Sequence, residues 1–452
     1  MCPLDAESKA PEAESKDRRQ HALRTFLLDA ETAHHEGSVT YDDVGVMTIT
    51  HRRLLDVGLP ETMLVPPERQ FPAIRATFED LNKALSSLSN SPALDDGRTL
   101  RQSYEEELER YEALVASALA ARQFEPGYGT YVVDHHRGDV YLIAPERWHR
   151  LALVTSNARL LTDPAGALSW QELRRRLESA VIGFAGVSVG SNVLEGWLRE
   201  ARPRAVKIAD PDWIELTNFN RCERVCLRHL VGSRARRFDL RNPYEVHRVS
   251  KAQYVAYEAQ MVDPYLDCWV YDEGLTRGNL DRFFGGDVAH GGTEPPIDIL
   301  VEEMDNVDLK ILARQTARAR GVDVLMMSDF GHRADMLWNY FSEDRTSPMG
   351  RGASDDVLLA LLEASRAGDR GKFMDFVASL CGDSFAGDEF GAFVEGRGEQ
   401  PTASMPQSGA TAMTAGGIGG KEVALRVLGH GRGRPSPCRV VYDLLGRSVT
   451  RD

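Results

Sequence analysis

Gly183-Phe184-Ala185-Gly186-Val187-Ser188-Val189-Gly190-Ser191-Asn192 joins the short apolar run AVIGFAGV to the amphipathic segment VLEGWLREA. A strand that ends in a Gly/Ser turn and opens a helix leaves backbone N–H groups where a phosphate can meet the positive end of the helix dipole. Gly186, Ser188 and Gly190 are the candidate phosphate contacts. The turn departs from G-x-G-x-x-G, since Ala185, Val187 and Ser188 stand where glycines would be expected. AVKIAD follows as a second strand, and its Asp210, twenty residues after Gly190, fits an acid that binds a ribose hydroxyl. An ordinary tight turn beside a solvated aspartate would give the same local pattern.

Outward from that turn the order is α/β throughout. Helix SWQELRRRLES precedes it; helix SKAQYVAYEAQMVD, strands DCWVYDE and IDILVEEMD, helix LKILARQTARARG and strand VDVLMMSDF follow. The expectation is a Rossmann-like doubly wound sheet over residues 166–341. Residues 342–399 read as a helical insertion, with DDVLLALLEASRAG and GKFMDFVASLC as its helices. Residues 400–452 return a helix, MTAGGIGGKEVALRVLG, and a strand, RVVYDLL. Upstream, 21–165 reads as an α+β accessory domain. FPAIRATFEDLNKAL and SYEEELERYEALVASALAAR carry apolar residues three and four apart, and GTYVVDHH and DVYLIAP alternate as strands turning at Arg137-Gly138. Residues 1–20 are charged and small, the composition of a disordered tail.

A chain of 452 residues with 42% hydrophobic content has material for about three domain equivalents. Its 54 Lys+Arg against 68 Asp+Glu leave a formal charge of −14, which argues against a nucleic-acid polycation or a cationic membrane-surface binder. The acidic N-terminal stretch has no apolar core of a signal peptide, and no stretch offers about 18 uncharged apolar residues. A cytoplasmic location is expected. The cysteines (Cys2, Cys222, Cys226, Cys268, Cys381 and Cys438) are scattered without a C-x-x-C pair, so reduced thiols and no zinc site are expected. Cys222 and Cys226 suit packing better than metal. The pairs His34-His35 and His135-His136 point to different faces and suggest no single site.

The continuation Asp210-Pro-Asp212-Trp-Ile-Glu-Leu-Thr-Asn218-Phe-Asn220-Arg221 resembles the ThiF/MoeB and ubiquitin-activating-enzyme superfamily. In that superfamily the corresponding strand ends in D-x-D-x-[VI]-x-x-[ST]-N-L-x-R. Each polar element is present, with Phe219 in place of Leu. Lys251 in SKAQYVAYEAQMVDPYLD is similar to the family's G-x-x-K-A helix, Asp305-Asn306 to its strand ending D-N, and MPQSGATAMTAGGIGGKEVALRVLG to its closing segment. The resemblance covers roughly 150–341 and 400–452.

The resemblance implies attack of a carboxylate on the α-phosphate of ATP, giving an acyl adenylate and pyrophosphate. The carboxylate would be the C-terminus of a small protein or peptide, which is ionised at pH 7, so positioning and electrostatics suffice. It implies Asp210 on the ribose, Asp212 among the other nucleotide-binding residues, Asn218 and Arg221 on the phosphates, Lys251 on the transferring region and Asp305 on Mg2+. Arg159 in TSNARLLTD stands where the family often carries an arginine reaching the partner's phosphates, which implies a homodimer. Lys251 lies farther from Arg221 than in compact members, but no other lysine falls between Lys207 and Lys310. The intervening RHLVGSRARRFDLRNPYEVH, which overlaps the basic 224–241 stretch, is either a substrate- or phosphate-contacting loop or a solvated arginine-rich surface. Cys381 is the one cysteine placed to accept a thioester, and packing is its plainer role. Two other readings stay open: an NAD(P)- or FAD-dependent oxidoreductase using the same turn, and a catalytically silent nucleotide-binding scaffold.

Overall fold

The computed structural model describes residues 25–29, 35–56, 59–87, 91–121, 128–134, 137–154, 168–226, 249–351, 353–366, 370–382 and 407–451. The chain divides into two compact units, one of residues 1–152 with 260–270, the other of 153–259 with 271–452.

In the first unit, strands β1 (Thr25–Asp29), β2 (Gly37–Tyr41), β3 (Met47–His51), β4 (Thr62–Val65), β5 (Thr130–Asp134) and β6 (Asp139–Ile143) form two antiparallel sheets, ordered β1-β5-β6 and β2-β3-β4. The β5–β6 hairpin turns where Gly138 takes φ +66°. Helices α1 (Pro72–Ser86), α2 (Leu100–Ala121) and α3 (Glu146–Val154) bury an aromatic core. Phe78 stacks on Tyr111 at 5.1 Å between centroids, and Tyr104 meets Trp148 edge-on at 6.1 Å. The Tyr104 hydroxyl donates to the Phe78 carbonyl, so the buried polar tip is satisfied.

The second unit carries the long sheet, apart from residues 267–270 of one edge strand, which count with the first. Helix α4 (Trp170–Ser179) starts at Ser169, whose side chain accepts from the Glu172 N–H, and buries Leu173 and Leu177. Then come β7 (Ile182–Ala185), α5 (Gly190–Ala201), β8 (Ala205–Ala209), α6 (Lys251–Val262), β9 (Asp267–Tyr271), α7 (Leu280–Gly285), β10 (Ile299–Glu302), α8 (Val307–Arg320), β11 (Asp323–Phe330) and β12 (Arg333–Asn339). The helical segment is α9 (Asp355–Arg366) and α10 (Arg370–Cys381), and the chain returns through α11 (Gly409–Val427), β13 (Cys438–Asp443) and β14 (Ser448–Arg451). The strand order is β14-β13-β12-β11-β10-β7-β8-β9. The pairs β11–β10, β10–β7 and β7–β8 are parallel, and β11–β12, β12–β13 and β13–β14 are antiparallel.

This is an α/β, Rossmann-like doubly wound sheet extended by an antiparallel half. β7 is flanked by β8 on one side and β10 on the other, so the order reverses there and opens a crevice at the carboxyl ends of those strands. Helix α5 is seated beside that crevice by glycines. A Cβ on Gly416 would come 2.3 Å from Asn192 Cβ, and one on Gly420 would come 2.4 Å from the Gly196 carbonyl carbon. The glycine-rich face of α11 therefore lets two backbones meet where a larger residue would hold the helices apart. No helix among the described residues is long and apolar enough to cross a membrane.

Candidate active site

Gly186 turns the chain out of β7 at φ +86°, and a Cβ there would lie 2.4 Å from the Glu303 carbonyl oxygen. Only glycine satisfies both conditions. Its N–H donates to the Ala209 carbonyl at 2.8 Å, and the next N–H, of Val187, donates to Asp210 Oδ2 at 2.8 Å. The N–H groups of Ser188, Val189, Gly190 and Ser191, at the start of α5, have no acceptor among the described residues. They form the positive end of the helix.

Asp210 is 4% exposed, and its Oδ1 accepts from the Asp212 N–H at 2.9 Å. It thus braces the turn with one oxygen and the following loop with the other. Burial raises its pKa above the usual carboxylate range, against the pull of Lys251. Lys251 opens α6 and is 7% exposed. Its Nζ donates to Asp212 Oδ2 at 2.8 Å. Burial disfavours its charge, but Asp210 and Asp212 together outweigh burial and hold its pKa above the ordinary lysine value.

Arg221 Nε donates to Ser188 Oγ at 2.9 Å, and its carbonyl accepts from Asn192 Nδ2 at 2.6 Å. The guanidinium also bonds the Thr217 carbonyl at 2.8 Å, which fixes it beside the turn. Asn218 is buried and closes a local box in which its Oδ1 accepts from the Glu215 N–H at 2.9 Å. It shapes the loop that presents Arg221. Cys222 Sγ lies 3.6 Å from Ser188 Oγ, and burial raises its thiol pKa.

Asp305 is exposed at the end of β10, directly before Asn306, whose side chain caps α8 by accepting from the Asp308 and Leu309 N–H groups. No three His, Cys, Asp or Glu side chains are gathered as a metal cage among the described residues. A single exposed carboxylate can serve as one oxygen ligand of a hard cation such as Mg2+. Arg159 lies outside the described residues, as do Cys2, His34, His135, His136 and, beyond Cys226, the remainder of the basic 224–241 stretch. Cys381 is buried in α10, and burial pushes its thiol up to about 12, a poor nucleophile near neutral pH.

Three residues absent from the sequence reading also line this region. Glu303 packs its side chain against Gly190, where a Cβ would sit 3.6 Å from Glu303 Cγ. Burial holds the Glu303 carboxyl well above its usual range, with Lys310 pulling it back. Asp329, near the end of β11, is 4% exposed, and Gln407 Nε2 donates to its Oδ1 at 2.8 Å. Burial lifts Asp329 to about 7, with Arg221 lowering it and Asp305 raising it. The only sign of Asp329 in the sequence is an acid near the end of the apolar run VDVLMMSDF.

No protein-family model matches the chain. Over 183 residues it is 32% identical to the uncharacterized protein MT1398 of Mycobacterium tuberculosis (strain CDC 1551 / Oshkosh), a match covering 40% of this chain and 22% of that protein. The match thus spans about a fifth of that relative's length. Among solved structures, the chain is similar to SeMet PaaA, at 12% identity and a TM-score of 0.44, over 80% of this chain and 99% of that one. It is also similar to E. coli MccB with ATP, at 9% identity and a TM-score of 0.41, over 94% and 96% of the two chains. A third is E. coli tRNA N6-threonylcarbamoyladenosine dehydratase, TcdA, in complex with AMP, at 13% identity and a TM-score of 0.39, over 63% and 96%.

Proposed function

We propose that this protein is a ThiF-type adenylyltransferase that uses ATP and Mg2+ to adenylate a carboxylate, the C-terminus of a small protein or peptide, releasing pyrophosphate. The observation that carries this reading is the convergence on one turn of free N–H groups at Ser188–Ser191 and of Arg221, bonded to Ser188, with Asp210 bracing the turn and Lys251 within its electrostatic reach. A hydride-transfer site has no evident need of two cations and an exposed carboxylate there. In this reading the helix start and Arg221 receive the phosphates, and Lys251 exchanges Asp212 for a phosphate oxygen as ATP enters. Asp305 would hold Mg2+, which supplies charge neutralisation across the phosphate oxygens. The attacking carboxylate is already ionised, so these residues act by holding two anions in line and by stabilising charge on the departing pyrophosphate. A homodimer in which Arg159 serves the partner subunit's site is part of the same proposal, as is action in the cytoplasm.

Calorimetry with ATP, NAD and FAD, with and without magnesium, followed by pyrophosphate exchange in the presence of short synthetic peptides with free C-termini, tests the reading. Magnesium-dependent ATP binding with exchange supports it. Binding of a dinucleotide and not of ATP overturns it in favour of an oxidoreductase, and ATP binding without exchange favours a silent scaffold.

A further inference from the structure

Asp329 is placed within the site yet has no part in adenylation. Its Oδ1 is tied by Gln407, and the Gln407 carbonyl in turn accepts from Asn220 Nδ2 at 3.1 Å, next in sequence to Arg221. Its Oδ2 is shielded from water and has no hydrogen-bond partner among the described residues. A buried carboxylate oxygen left unpaired is costly, so the arrangement calls for a donor that arrives with a ligand. The charged groups that act on Asp329 are Arg221 and Asp305, and Glu303 interacts with it from the end of β10.

We propose that Asp329 is the proton acceptor for a neutral amine that consumes the acyl adenylate, making this protein an amide-forming enzyme; this rests on the adenylation reading above. The amine nitrogen attacks the acyl carbon, the C–N bond forms, and the C–O bond to the phosphate breaks with its electron pair leaving on AMP. The proton lost from nitrogen passes to Asp329 Oδ2 and from there to solvent. An attacking amine becomes strongly acidic as the bond forms, so a carboxylate titrating near neutrality takes its proton downhill. A thiol, by contrast, ionises before attack, and Cys222, Cys268 and Cys381 are buried with raised thiol pKa values.

The test separates the two half-reactions in the full chain carrying Asp329→Asn, a substitution that can still accept from Gln407. The first half-reaction is read as pyrophosphate exchange with the synthetic peptides, the second as single-turnover AMP release with glycinamide as amine. The expected result is exchange within threefold of the unsubstituted protein, AMP release slower by 100-fold or more, and partial rescue by hydroxylamine, whose reactivity depends less on a base. AMP release by the unsubstituted protein should rise through an apparent pKa near 7, and the variant's profile should be flat. Undiminished AMP release by the variant overturns the proposal, and so does equal loss of both half-reactions, which would make Asp329 structural. Absence of exchange in the unsubstituted protein itself would instead remove the adenylation reading, and this proposal with it.

Discussion

Lys251 is bonded twice to Asp212: its Nζ donates to Oδ2 at 2.8 Å, and its backbone N–H donates to the Asp212 carbonyl at 2.9 Å. The two partners differ in access to water, since the Lys251 side chain is 9% exposed and that of Asp212 62%. The exposed member can swing into solvent when a phosphate takes its place, whereas the buried ammonium stays where the backbone bond sets it. Lys251→Met should therefore reduce pyrophosphate exchange by about 100-fold or more, in line with the loss of a charge that stabilises the transition state. Asp212→Asn should stay within about tenfold, because partial charge complementarity survives at an exposed position. Equal losses in the two variants would mean that the pair acts as a unit and that Lys251 does not leave Asp212.

The turn glycines make a sharper contrast. Alanine at Gly186 combines a left-handed backbone with a Cβ 2.4 Å from the Glu303 carbonyl, so Gly186→Ala should cost about 2 kcal/mol or more in urea unfolding. Alanine at Gly190 meets Glu303 Cγ at 3.6 Å and Val187 Cγ1 at 3.9 Å, both ordinary contacts, so Gly190→Ala should leave stability level or raise it by about 0.5 kcal/mol. If a phosphate is seated on the start of α5, that same methyl group should weaken ATP binding about tenfold. Unchanged affinity in calorimetry would move the phosphates elsewhere.

The parallel half of the sheet was legible because each strand is a short apolar run followed by an amphipathic helix, as at Ile182–Ala185 and Gly190–Ala201. Of the antiparallel half, β13 was legible as the strand RVVYDLL, and β12 and β14 were not. β12 carries Arg333 and Asp335 among its apolar residues, and Asp335 is buried only because Arg439 on β13, about a hundred residues later, ion-pairs with it. Local pattern does not reveal a charge whose partner is that remote. The same limit applies to the site. Asp210, Arg221 and Lys251 stood in a readable order, while Asp329 gains meaning only from Gln407 and Arg221, brought to it by tertiary contacts.

Asp329 also makes stability depend on pH in a direction fixed by its shift. Its carboxyl titrates near 7 in the folded chain, above the value of about 4 expected when unfolded, so between those values the folded state holds more protons. Stability from this group is fully present below pH 4, falls as pH rises to about 7 and is level above that. Asp329→Asn removes the dependence. Its Tm should match that of the unsubstituted protein at pH 4 and exceed it by a few degrees at pH 8. Parallel Tm profiles for the two proteins across this range would show that Asp329 is ionised at no cost in the fold.

Asp305 offers the cleanest separation of chemistry from folding. Its side chain is exposed at the end of β10 and makes no hydrogen bond or ion pair among the described residues, while the neighbouring Asn306 performs the capping of α8. Removing the Asp305 carboxylate therefore takes nothing from the core or from a helix end, and Asp305→Ala should keep Tm within about 1 °C. Binding of ATP in the absence of magnesium should be unchanged or slightly tighter, since a negative charge near the phosphates is lost. Magnesium-dependent pyrophosphate exchange should fall by about 100-fold, because the cation would lose the carboxylate proposed to hold it. Exchange that persists with the same magnesium dependence would assign the cation to another carboxylate, and Glu303, packed against Gly190, would be the next to substitute.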